Sequence, residues 1–79
     1  MKLLTWARRM YLGDLATQAL IPESRYGYLA DGESSSYAIT FSDGWWAVKQ
    51  FNANGEMVKN NRTLTLDGAK ARAQTWENQ

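Results

Sequence analysis

The stretch that decides the fold is Tyr37-Ala38-Ile39-Thr40-Phe41-Ser42-Asp43-Gly44-Trp45-Trp46-Ala47-Val48-Lys49-Gln50-Phe51. Tyr37, Ile39 and Phe41 alternate with smaller or polar residues, the two-residue period of a half-buried strand. Ser42-Asp43-Gly44 then reads as a hairpin turn, because glycine accepts the positive φ such turns need. Trp45 to Phe51 follows as the returning strand. Adjacent strand residues point to opposite faces, so Trp45 and Trp46 cannot both enter a one-sided core. Trp46 with Val48 suits the core face, which leaves Trp45, Ala47 and Lys49 on the other.

Working outward toward the C-terminus, Asn52-Ala53-Asn54-Gly55 supplies a second turn, with Asn-Gly as its hairpin signal. Glu56 to Asn60 is the next strand of a meander, with room to continue to Arg62. Thr65 is placed to N-cap a helix, and Asp67 falls in the first turn, where the helix dipole favours a carboxylate. Leu66, Ala69, Ala73 and Trp76 recur at threes and fours, and this spacing predicts a helix over 66–77.

Toward the N-terminus, Asp31-Gly32-Glu33-Ser34-Ser35-Ser36 reads as a polar loop. Arg25 to Ala30 is a short aromatic strand weakened by Gly27. Residues 3–20 place Leu4, Ala7, Tyr11, Leu12, Leu15, Ala16, Ala19 and Leu20 at helical spacing. Gly13-Asp14 interrupts that pattern, a point at which one helix can equally be two short ones, and Pro22 ends it. The expected fold is therefore α+β: an N-terminal helix, a three- to four-stranded antiparallel meander, and a C-terminal helix on one sheet face. That face is expected to hold Tyr37, Ile39, Phe41, Trp46, Val48 and Met57 or Val58. The N-terminal helix would cover one end or complete a dimer. The other face stays wet and is where function is sought.

The 79 residues fit one small domain, and a chain this short buries only about 60% of its unfolded surface. Cys 0 removes disulfides, and His 0 with Cys 0 removes the usual zinc, haem and iron–sulfur sites and the Ser-His-Asp and Cys-His nucleophiles. Asp31 and Glu33 lie two apart in a loop, with Asp43 one strand later. A solvated loop does not give the burial that a catalytic carboxylate pair needs, and no twelve-residue EF-hand loop surrounds it. No phosphate-binding glycine motif is present. The reading is a non-enzyme without metal or cofactor. Met1 to Arg9 begins like a secretory signal but meets Arg8-Arg9 too early, and no run approaches a membrane helix, so a cytoplasmic protein is expected.

Nine basic and eight acidic residues give +1 overall, too balanced for a surface that grips phosphates everywhere. The distribution is uneven. Residues 26–44 carry Asp31, Glu33 and Asp43 with no basic partner, whereas 45–72 carry Lys49, Lys59, Arg62, Lys70 and Arg72 against Glu56 and Asp67. Two placements of Trp45 are open: beneath an N-terminal helix carrying Tyr11 and Leu12, or free as an anchor, since Trp, Tyr and Arg dominate interface hot spots. The second gives a protein-binding face of Trp45, Tyr26, Tyr28 and Lys49 with an acidic edge of Asp31, Glu33 and Asp43.

The pattern Trp46-x-Val48, Phe51, Gly55, Leu64-x-Leu66-x-x-Ala69, Ala73 and Trp76 resembles the three strands and helix of the arm-type DNA-binding domains of phage integrases. The likeness covers roughly residues 37–77. It implies a sheet laid in the major groove, with Lys49, Lys59, Arg62 and Arg72 as contacts, although this chain offers fewer cations on that face than such domains carry. In size, balanced charge and lack of catalytic residues, the chain also looks like small phage- or mobile-element-encoded inhibitors of host complexes, of the anti-CRISPR or antirepressor class. The expected partner is thus a host protein or nucleoprotein complex, with a DNA-binding accessory protein as the alternative and a second copy of the chain as a further partner.

Overall fold

In the computed structural model, which describes residues 2–10 and 20–79, strands succeed one another in simple up-and-down order. Among the described residues there are five: β1 (Ala7–Met10), β2 (Tyr26–Asp31), β3 (Ser36–Ser42), β4 (Trp45–Phe51) and β5 (Met57–Thr63). They form one antiparallel sheet in the order β1-β2-β3-β4-β5. A 3-10 turn, Pro22–Arg25, leads into β2, and the helix α1 (Leu66–Glu77) follows β5.

The central hairpin forms as its alternation predicts. Ile39 pairs with Val48, and Phe41 with Trp46. Asp43 and Gly44 both take positive φ, 52° and 83°, matching the turn to the right-handed twist of its strands. At the next turn the Asn52 side chain accepts the N–H groups of Asn54 and Glu56 at 2.9 and 3.0 Å, and Gly55 takes φ 82°. Thr65 caps α1 by accepting the Gly68 N–H at 3.0 Å.

The core lies between α1 and one sheet face. Tyr28, Ala30, Tyr37, Ile39, Trp46 and Val48 are buried there against Ala69 and Ala73, whose small side chains let the helix close onto the strands. Trp46 meets Phe41 edge to face at 5.0 Å and Tyr28 at 6.2 Å, geometries that suit the aromatic quadrupole. Phe41 is only partly buried.

Two expectations are corrected. The first part of the N-terminal stretch, residues 2–10, is not helical: Ala7–Met10 is an edge strand, paired from Ala7 with Leu29 to Met10 with Tyr26, and only Leu20, at the far end of the stretch, is helical among its described residues. Before it, Gln74 on α1 receives the Leu4 N–H at 2.9 Å and donates to the Lys2 carbonyl at 2.7 Å, so this segment runs beside α1. Leu4 and Trp6 pack against the core. The proposed break at Gly13-Asp14, with Tyr11, Leu12, Leu15, Ala16 and Ala19, lies outside the described residues. Among the described residues the meander accordingly has five strands rather than three or four.

Met57 and Val58 also leave the core, at 50% and 52% exposure. The ladder shifts register beside Gln50 and Phe51, where Gln50 faces Lys59 but Phe51 faces Met57. The extra residue in β5 is a bulge, which interrupts the ladder locally and pairs Met57 with Phe51, whose parity in β4 is that of the face opposite α1.

Candidate docking face

Among the described residues, no element packs across the face opposite α1. Ladder pairing places its residues in rows. Arg9 stands opposite Gly27, Thr40 opposite Ala47, and Ala47 opposite Arg62. Gly27 lies against the Thr40 methyl group, which completes a row across all five strands. The next row runs Ala7, Leu29, Ala38, Lys49 and Asn60. Trp45 closes one end, beside Ser42, and Phe51 with Met57 lies toward the other.

The chemistry of this face follows from those rows. Its middle is floored by short side chains: Gly27, Ala38, Thr40 and Ala47. Trp45 and Leu29 project beside them, 38% and 39% exposed. Three exposed cations, Arg9, Lys49 and Arg62, share the surface with the carboxylate of Asp31. The Arg62 guanidinium lies 5.7 Å from the centre of the Trp45 ring, a cation–π pair that orients both groups without covering them.

Trp45 and Lys49 therefore stand on the open face, as their parity in β4 requires. Tyr26 and Tyr28 do not. Tyr28 pairs with Ile39 and is buried, its hydroxyl donating to the Glu23 carbonyl at 3.0 Å, and Tyr26 packs edge to face against it. Both tyrosines sit on the α1 side, because even-numbered positions of β2 share the parity of the core. Arg8 lies over the Tyr26 ring at 4.8 Å and Lys70 over Tyr28 at 5.3 Å.

The acidic residues are also divided. Asp31 and Glu33 lie at the β2–β3 turn, around a depression of about 330 Å³ shared with Asn52. Asp43 lies at the opposite end of β3, and a seven-residue strand spans about 23 Å. They form no common edge. Of the four basic candidates, Lys49 and Arg62 share the open face. Lys59 instead faces α1, 5.8 Å from the Trp76 ring and bonded to Gln79, while Arg72 is exposed on α1. Arg9 is the residue that sequence reasoning missed. Its signal was the alternation of Leu4, Trp6 and Arg8 on one side against Ala7 and Arg9 on the other.

A hydrogen-bonded clamp closes the end of the core. Gln50 donates to the Tyr37 hydroxyl at 3.0 Å, Tyr37 donates to Glu77 at 2.8 Å, and the same carboxylate accepts the Glu33 N–H at 3.0 Å. The Glu33 N–H and then the Tyr37 hydroxyl hold the Glu77 carboxyl below its ordinary pKa. Burial, followed by the Glu77 hydrogen bond, raises the Tyr37 phenol. Burial also raises Tyr28.

A second depression of about 380 Å³ lies between Ile21, Glu23, Trp46, Leu64, Leu66 and Asp67. Among the described residues no cluster of three or more metal-ligating side chains occurs, and no helix is long and apolar enough to cross a membrane. The chain matches no protein-family model, no curated protein and no solved structure.

Proposed function

We propose that the chain is a non-enzymatic protein-binding module that docks through the open sheet face. The observation that carries this reading is the convergence on one face of Trp45, its partner Arg62, and the further cations Arg9 and Lys49 around a floor of small residues. Aromatic and arginine anchors beside a shallow apolar floor are what a desolvated interface centre requires. A chain of this kind acts by occupying a partner's surface, so the reading extends to an inhibitor that blocks a larger complex.

The shared position of Arg9, Lys49 and Arg62 also favours nucleic acid more than the sequence suggested. Width weighs against the major groove. Four inter-strand steps set the outer strands about 19 Å apart, whereas the groove is about 12 Å wide. Three strands enter such a groove; five do not. Among the described residues, the centre of the face also lacks the aromatic rings on which single-stranded bases stack.

The test compares wild type with Trp45→Ala and Arg62→Glu, each checked for an unchanged melt, in affinity capture from the host lysate. One stoichiometric protein retained by wild type and lost by both variants supports the module. Duplex DNA binding whose affinity falls steeply with salt, at about one log unit per phosphate contact for each tenfold change in salt, would replace it with the DNA reading.

A further inference from the structure

We infer that the partner presents an amphipathic α-helix with carboxylates on both sides of its apolar stripe, lying along β3. This rests on the protein-binding reading of the same face and names what that face would hold. Every β3 residue directed to it is short: Ser36, Ala38, Thr40 and Ser42. They line a trough along the central strand, with Leu29 rising from β2 and Trp45 from β4. Trp45 and Leu29 supply apolar walls, which a helical stripe of leucine or alanine complements.

The dimensions select a helix. A helix is about 10 Å across, and the trough is flanked by Arg9 and Arg62 on strands about 19 Å apart. A helix centred on β3 leaves about 4–5 Å on each side, a gap that an arginine side chain bridges. An extended peptide is too narrow to meet both posts. The length of β3, about 23 Å, corresponds to about 15 helical residues.

Charge decides against a second copy of the chain. Placed face to face, two such surfaces would oppose Arg9, Lys49 and Arg62 with the same cations, and like charges across an interface oppose association. Glutamates flanking the partner's stripe would instead meet Arg9 on one side and Lys49 with Arg62 on the other. Among the described residues the carboxylate on this face is Asp31, which lies at its end and leaves this pairing intact.

A synthetic peptide of about 15 residues, with a leucine/alanine stripe flanked by glutamates, is the probe, and its isomer with lysines at those positions is the control. Expected are amide shifts at Ala38, Thr40 and Ala47 with a gain of peptide helicity. At low salt the acidic peptide should bind about tenfold tighter than the basic one. Arg9→Glu/Arg62→Glu should reverse that order. Equal binding of both peptides, shifts confined to other surfaces, or binding without added helix would each overturn the inference. If the acidic peptide is inert while Trp45 still governs capture of the natural partner, the helix is wrong and the docking module stands. If capture is also independent of Trp45, both fail.

Discussion

The Glu77 carboxylate accepts the Tyr37 hydroxyl at 2.8 Å, although 40 residues separate them in the chain. The same carboxylate accepts the Glu33 N–H, so the last turn of α1 is fastened to the β2–β3 hairpin. Tyr37 is also the acceptor for Gln50, which is buried. Tyr37→Phe keeps the ring in the core but strands the Gln50 amide. A buried polar group left unpaired costs about 1–3 kcal/mol. Urea unfolding should show that loss, and Gln50→Leu combined with Tyr37→Phe should recover part of it.

The same tie sets the acid limb of stability. Glu77 is lowered in the folded chain by the Glu33 N–H and the Tyr37 hydroxyl. A carboxylate with a depressed folded pKa stabilises the fold above its unfolded value, and this contribution disappears as pH falls through the folded value. Exposure to solvent keeps the effect small. Wild type should therefore lose stability below the ordinary carboxylate range faster than Glu77→Gln, with the two curves parallel at neutral pH. At the alkaline end, Tyr28 and Tyr37 are raised chiefly by burial. Their contribution is complete below the ordinary phenol value and is lost as pH rises through the folded one.

Gly32 lies beneath Glu77, and the carboxylate occupies the space a β-carbon would need there. The obstructing atoms belong to the end of a flexible side chain, so Gly32→Ala should displace Glu77 rather than distort the hairpin. Two hydrogen bonds would be lost, worth about 1 kcal/mol each. A double-mutant cycle isolates the cause. Gly32→Ala should cost markedly less in a Glu77→Ala background, and equal costs in both backgrounds would refute the displacement.

What could be read without coordinates divides along the locality of the forces. The 45–51 strand, the Asp43-Gly44 turn and the 66–77 helix carry their reasons within a few residues: alternation, positive φ and a capped apolar stripe. Strand β1 does not. All four of its residues are exposed, and its conformation depends on pairing with β2, more than a dozen residues away in the chain. The spacing of Leu4, Ala7 and the residues beyond satisfied a helical count, while the alternation of Leu4 and Trp6 was the relevant signal. The β5 bulge similarly carried Met57 and Val58 out of a core their apolar character suggested. Trp45 was legible as one of two placements, because strand parity divides Trp45 from Trp46. Its grouping with Arg9 and Arg62 was not, since register across five strands places them together.

Ala38 and Ile39 are neighbours on β3 that point to opposite faces, and this permits docking to be separated from folding. Ile39 is fully buried, and Ile39→Val should cost about 1 kcal/mol through the lost methylene and the space it leaves. The open face would be untouched, so the folded fraction should bind as wild type does. Ala38 floors the trough beside Leu29 and Lys49. Ala38→Gln places a long neutral side chain there, with a stability change within about 0.5 kcal/mol, as for most surface substitutions. It should nevertheless abolish partner binding, because the trough would be filled without altering any charge. Thermal melts and partner titrations on both variants read the two effects independently. Binding that follows stability in the two variants alike, with Ala38→Gln still competent, would place docking somewhere other than the surface along β3.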